Sequence, residues 1–277
     1  MQPYRIPVGN IIEVTIDFFV EHFSFLTKAF SDVTEAGIDI LVDAMMFIHP
    51  LLLILAITAL TWFANRNRGI SLFALLGLLL IWNMGLWAPT VSTIALVLIA
   101  TFFAILVGVP LGILAALNSV AFRIIMPILD FMQTMPAFVY LIPAIPFFGL
   151  GPVAAIFSTV IFSMPPAIRL TSLGIKQVPK ELIEAADAFG CKKMQKLFKV
   201  QMPMATPTIM AGINQTIMLS LSMVVIAAMI GAKGLGGEVW KAIQRLEPGK
   251  GFESGIAIVI IAMILDRVMQ RFGKKSA

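Results

Sequence analysis

Glu184-Ala185-Ala186-Asp187-Ala188-Phe189-Gly190 opens a polar stretch that runs on to Val200-Gln201-Met202-Pro203 between two long apolar runs. Pro179 stands where a first helical residue belongs, and Glu181 follows in the first turn, where a carboxylate favours the positive end of a helix. Leu182, Ala186 and Phe189 recur at helical spacing, which predicts one apolar face on a short helix. Gly190 is positioned to close that helix in a left-handed cap. A second short helix is expected from about Lys192 to Gln201, with Met194, Leu197 and Phe198 on one side. Lys192, Lys193, Lys196 and Lys199 cover the rest of it, and Pro203 is expected to stop it. The stretch reads as a helix-turn-helix elbow, basic outside and apolar on one side. Taken alone, such an elbow could equally lie flat on a membrane surface.

What surrounds the elbow is membrane. Of 277 residues, 59% are hydrophobic and 13% charged, with a mean hydropathy of +0.96. Soluble domains carry about 25% charged residues, so half that share predicts an all-α polytopic membrane protein. The single cysteine, Cys191, excludes an internal disulfide and a multi-cysteine metal site. His22 and His49 lie far apart and show no ligand spacing, so no metal is expected. Glu13, Asp17 and Glu21 interrupt the first apolar stretch, which argues against a cleavable signal. The first span is then expected to act as an uncleaved insertion signal.

Residues 8–43 carry a stripe of Ile12, Ile16, Phe19, Phe23, Leu26, Phe30 and Val33. This predicts an amphipathic helix over 8–43, within an N-terminal interfacial segment 1–43. Its acidic face favours packing on the protein's own spans, on the outer side, over binding anionic lipid. Seven spans follow at about 44–64, 69–88, 90–117, 124–149, 152–170, 208–231 and 255–270. The first two form a peripheral unit, 44–88, and the rest a core, 90–272, that holds the polar loop 171–207. If the spans alternate, Arg66, Arg68, Arg123, the elbow lysines, Arg267, Arg271, Lys274 and Lys275 share one side. Arg5, Lys28, Lys233, Lys241, Arg245 and Lys250 fall on the other, diluted by acids. The positive-inside rule then puts the elbow and C-terminus in the cytoplasm and the N-terminus outside. Topology explains the net charge of +5, and nucleic-acid binding is not needed.

Several spans are irregular. Gly108 and Gly112 form a small-xxx-small pair suited to close helix packing. Met132-Gln133-Thr134-Met135-Pro136, with Pro143 and Pro146 beyond, cannot remain one continuous helix, and Pro165-Pro166 is expected to interrupt the next span. Backbone groups freed in this way must be buried in protein or line a wet cavity. Gly231 to Glu238 is rich in glycine but lacks the Gly-Lys-Ser/Thr ending of a phosphate loop, and a flexible external turn is expected there. The energy source must therefore sit on another chain.

The elbow resembles the EAA motif of ABC-importer permeases: EAA, three residues, Gly, nine residues, then aliphatic-x-Leu-Pro. Glu184-Ala185-Ala186, Gly190, Val200 and Met202-Pro203 take those places, with Val and Met for the commoner Ile and Leu. Met132 to Phe138, Gly174 to Pro179, Ala211 to Gln215 and Met223 to Gly237 resemble permeases of glycine betaine/proline betaine ABC importers (ProW- and OpuAB-like). The resemblance implies a type I ABC importer permease fold for the core. It also implies two permease copies in membrane lipid, cytoplasmic ATPase subunits holding ATP and Mg, and an external substrate-binding protein or domain. No cofactor is expected in this chain, and no catalytic residue. Glu184 would lie near the ATPase groove, Ala185 and Ala186 would permit close approach, Gly190 the bend, and Pro203 closes the loop.

A substrate pathway between two copies needs a polar seam at membrane depth. Its candidates are Met132, Gln133 and Thr134 on the broken span, with Asn214, Ser220 and Ser222 on the span after the elbow, which Thr206-Pro207 would start. Asn214 could equally bridge neighbouring helices. Because a quaternary ammonium donates no hydrogen bond, weak acceptors and methionine faces are expected there rather than a carboxylate. The other reading is a secondary transporter driven by an ion gradient through Asp130 and Asp266, with His49 as a further ionisable group.

Overall fold

Inside a bilayer, a helix satisfies its backbone within one segment of chain, and so apolar a sequence has to use it. The computed structural model describes residues 7–274; Arg5 and Lys275, counted above among the basic residues, lie outside them. The described residues form α1 Val8–His22, α2 Ser24–Phe47, α3 Pro50–Asn65, α4 Arg68–Asn83, α5 Trp87–Leu117, α6 Ser119–Thr134, α7 Leu141–Phe148, α8 Pro152–Lys176, α9 Lys180–Ala188, α10 Lys193–Lys196, α11 Met202–Ala227, α12 Leu235–Gln244 and α13 Pro248–Lys274.

Packing is centred on α8, which lies along both α5 and α11. Lipid tails are as apolar as leucine, so such helices are held by close van der Waals contact rather than by hydrophobic burial. Small residues make that contact possible. A Cβ on Gly112 would stand 2.7 Å from the Ile168 carbonyl oxygen, and one on Gly212 would stand 3.0 Å from that of Pro166. The buried Ser220 hydroxyl meets that of Ser163 at 2.9 Å across the same seam. Around the seam, α13 packs on α11, α12, α3 and α4, while α2 packs on α5, α7 and α8.

α5, α8 and the continuous run Lys193–Ile230 are each long and apolar enough to cross a membrane. The bent pairs α2/α3 and α6/α7 raise that number to five among the described residues. The remaining two of the seven expected spans correspond to α4, a shorter apolar helix, and α13, which carries Glu253, Asp266 and Arg267. All seven apolar elements occur in the expected order.

The structure corrects five local expectations. Residues 8–43 form two helices: the backbone breaks at Phe23 (φ −113°, ψ 19°), and α2 runs past residue 43 to Phe47. That break re-phases the stripe, so Phe30, Ile38 and Leu41 face the core while Val33 is exposed. Phe30 packs against the rings of Phe103 and Phe148. Secondly, the apolar run 44–64 is cut by a 104° bend between α2 and α3, because the residue before a proline, here His49, is pushed out of helical geometry. Thirdly, α8 continues through Pro165-Pro166, held on both sides by α5 and α11.

Fourthly, Pro203 does not end the elbow's second helix. A π-turn over Leu197–Gln201, closed by the Met202 N–H on the Leu197 carbonyl, carries the chain past it into α11. Thr206-Pro207 therefore lies inside that helix. Lastly, the glycine-rich turn after Gly231 is ordered: it leads into α12, whose first residue, Leu235, is fully buried and donates its N–H to Thr93 Oγ1 at 2.8 Å. Gly236 serves close approach there, since a Cβ on it would lie 2.6 Å from Val225 Cα.

Candidate functional site

The elbow is a pinned turn. Pro179 occupies the cap position (φ −51°, ψ 135°), one place before where the sequence put it, and Glu181 lies in the first turn of α9. At the other end Gly190 adopts φ +73°. Its N–H donates to the Asp187 carbonyl at 2.9 Å and that of Cys191 to the Ala186 carbonyl at 3.0 Å, the paired bonds of a Schellman cap. Lys196 Nζ then bonds both Asp187 carboxylate oxygens, at 2.7 and 2.8 Å, tying α10 back to α9. The N–H of Lys192 donates to Gln195 Oε1. This turn folds over Ala186, which with Leu197 is buried and so is not available at a partner's surface.

The rest of the expected apolar face lies outside. Phe189 is 89% exposed, and Leu182, Met194 and Phe198 are exposed as well. Glu184 and Ala185 are exposed beside them. Such a patch of large apolar side chains on a polar turn is a candidate contact surface.

A second polar feature lies on the broken span. α6 ends at Thr134, and the chain bends by 112° before the 3-10 turn Ala137–Tyr140 and α7. Pro136 has no N–H, which deprives the Met132 carbonyl of its helical donor. The Tyr140 hydroxyl donates to that carbonyl instead. Gln133 and Thr134 are exposed, and Asp130 lies on the same face of α6, one turn earlier.

Arg169 on α8 reaches this face. Its Nη2 stands 2.7 Å from Asp130 Oδ1, with the side chains 38% and 64% exposed, while Arg169 Nε is buried with no acceptor among the described residues. In the sequence Asp130 stands out only as an ionisable group on a span, and Arg169 does not stand out at all. Their separation of 39 positions gives no local signal. A carboxylate thus belongs to the face where only weak acceptors were expected.

The α11 candidates divide. Ser220 is buried in the α8–α11 seam, whereas Ser222 is exposed and donates to the Met218 carbonyl at 3.1 Å. Asn214 Nδ2 donates to Asp266 Oδ1 at 2.8 Å, and Gln270 Nε2 to the other oxygen at 2.7 Å, so Asn214 bridges α11 to α13. Among the described residues no hydrogen bond joins these side chains to Gln133 or Thr134. A cavity of about 400 Å³ lies beside Asn214, lined also by Met210, Gln215 and Met269. The larger groove of about 650 Å³, between α4, α12 and α13, is lined by Phe73, Phe252, Val259 and other apolar groups, as a lipid-facing surface is. It is remote from both polar features in the chain.

Residues 108–276 match the family described as binding-protein-dependent transport system inner membrane component. The chain is 52% identical to the glycine betaine transport system permease protein OpuAB of Bacillus subtilis, over 98% of this chain and 96% of that protein. It is 49% identical to the glycine betaine/carnitine transport permease protein GbuB of Listeria monocytogenes (98% and 97%) and 44% identical to the glycine betaine/proline betaine permease protein ProW of Escherichia coli (98% and 76%). The fold is that of a chain in the inward-facing MetNI methionine ABC transporter, with a TM-score of 0.62 at 22% identity, over 67% of this chain and 93% of that one. An elbow with exposed apolar side chains, joined to a membrane bundle of this fold, thus accompanies a sequence match over most of the chain: the chain belongs to the binding-protein-dependent transport system inner membrane component family.

Proposed function

We propose that this chain is the permease of an ATP-driven importer for quaternary ammonium osmoprotectants such as glycine betaine or proline betaine. The observation that carries the mechanism is the elbow, a turn capped at Gly190 whose exposed Phe189, Met194 and Leu182 need a cover, joined without a break to α11. A cytoplasmic ATPase subunit, holding ATP and Mg, supplies that cover, with Glu184 and Ala185 at its groove. Motion of the ATPase then reaches the α8–α11 seam through a rigid helix. Close-packed seams switch between discrete arrangements rather than flexing. The substrate class rests on the three relatives and on an external binding protein or domain that delivers it.

Two copies of the permease form the pathway. Asp130, Gln133, Thr134 and Ser222 are exposed on the single chain, and turning such groups to lipid costs about 2 kcal/mol or more each. A wet seam against a second copy removes that cost. Asn214 and Ser220 serve packing within one copy. An ion-gradient mechanism has less support: Asp130 is ion-paired and Asp266 is held by two amides. In proteoliposomes holding the chain, its ATPase and its binding protein, labelled glycine betaine enters only with ATP. Uptake by the chain alone under a proton or sodium gradient would reverse the assignment.

The orientation with elbow and C-terminus in the cytoplasm has its own test. With Cys191 replaced by serine, cysteines at Asn67 and Lys274 resist a membrane-impermeant thiol reagent in whole cells, and one at Lys250 is labelled. The opposite pattern inverts the topology. For the pathway, Gln133→Leu slows uptake several-fold while assembly and ATP hydrolysis persist. Unchanged kinetics would return Gln133 to packing.

A further inference from the structure

We propose that Asp130 and Arg169 form a transit site for a zwitterion, Arg169 taking the substrate's carboxylate and Asp130 its quaternary ammonium. This rests on the reading of the chain as a betaine permease and names the residues that receive the substrate within the membrane.

Depth comes first. Asp130 lies eleven residues into α6 and Arg169 seven from the end of α8, about 16 and 10 Å along the helices. Both lie within the apolar runs 124–149 and 152–170, toward the ends nearest the elbow. Charges at that depth face protein or water rather than lipid, yet the pair is open on the single chain, at 64% and 38% exposure. The face carrying them is therefore the wet one, and Gln133 and Thr134 extend it by a turn.

The pairing is incomplete in a particular way. A guanidinium presents a fork of donors that fits a carboxylate through two parallel bonds. Here a single Nη2–Oδ1 contact at 2.7 Å is made, and Nε is buried without an acceptor. An unmet donor at a charged group is costly. A free carboxylate arriving from the open side meets the remaining Nη donors, which are not buried as Nε is.

A betaine carries one carboxylate and one quaternary nitrogen. As it enters, the Arg169 N–H groups donate to its carboxylate, and the Asp130 carboxylate faces the methylated nitrogen through charge alone. No proton moves and no bond is made or broken. When the substrate leaves, Asp130 and Arg169 close on each other again, so neither charge is ever buried alone. One ion pair is exchanged for two opposed contacts, and the small net gain suits a site that must release what it binds.

The test uses the assembled permease–ATPase complex in nanodiscs without binding protein, carrying Cys191→Ser and Thr134→Cys. The rate of modification by a small thiol reagent is followed against glycine betaine, tetramethylammonium and acetate. Glycine betaine is expected to slow modification, while the cation or anion alone at equal concentration is not. In an Arg169→Gln background, half-protection is expected at about tenfold higher betaine. Arg169→Lys, which keeps the charge and the tie to α6 but lacks the fork, is expected to fall between them. Absence of protection, or equal protection in all three backgrounds, overturns the site. Failure of wild-type ATP-driven uptake in proteoliposomes would instead remove the underlying functional reading.

Discussion

Gly190→Val leaves the permease assembled yet lowers betaine carried per ATP hydrolysed by about tenfold. The factor follows from the backbone. Gly190 has φ +73°, and an L side chain in that region costs about 1–2 kcal/mol, equivalent to about tenfold in an equilibrium. A Cβ there meets nothing within 4 Å. The strain is thus relieved by reorienting the turn, not by unfolding the bundle. Losing the two cap bonds would swing exposed Phe189 away from the proposed ATPase contact while α5, α8 and α11 stay packed. Gly190→Asn, which tolerates the left-handed region, retains most coupling. Glu184→Lys attacks the same contact through charge, adding a cation to an elbow that already carries Lys192, Lys193, Lys196 and Lys199, and is expected to uncouple as well. The measurement is the ratio of uptake to hydrolysis in proteoliposomes. Normal ratios for both Gly190→Val and Glu184→Lys would detach the elbow from coupling.

The elbow was legible in the sequence because its signals are local: a proline, an early acid, a glycine at the cap and lysines on one surface. Span order was legible because length and apolarity are additive along the chain. What escaped depended on neighbours. Pro165-Pro166 and Pro203 read as breaks, yet α5 and α11 hold the first pair in line and a π-turn absorbs the second. The glycines from Gly231 to Gly237 read as freedom, but Gly236 is there so that α12 can approach Val225. Leu182 and Phe189 read as one apolar face with Ala186, and the Schellman turn buries Ala186 while leaving the other two outside. Arg169 was invisible beside Asp130 because two helices had to be placed before their charges met.

Gly112→Leu is expected to have the largest effect on the fold itself. The α5–α8 contact is made at backbone distance: a Cβ on Gly112 would lie 2.6 Å from Thr171 Cβ and 2.7 Å from the Ile168 carbonyl oxygen. A side chain could rotate away, but a helical carbonyl cannot, so α5 and α8 must part. Parting them weakens the dispersion contacts along the whole seam, which in lipid are the main attraction between helices. Overpacking a tight core costs about 1–3 kcal/mol where neighbours can adjust, and here one of them is backbone. The variant should therefore fail to accumulate as a monodisperse species in detergent. Gly108→Ala meets the Ala167 Cβ at 3.0 Å and Met164 Cγ at 3.3 Å, and is expected to lower the unfolding temperature by only a few degrees. Gly255→Leu, where nothing lies within 4 Å, should behave as the parent does. Size-exclusion profiles after a temperature ramp rank the three. Were Gly112→Leu as stable as Gly255→Leu, the small-residue seam between α5 and α8 would not be what holds the bundle together.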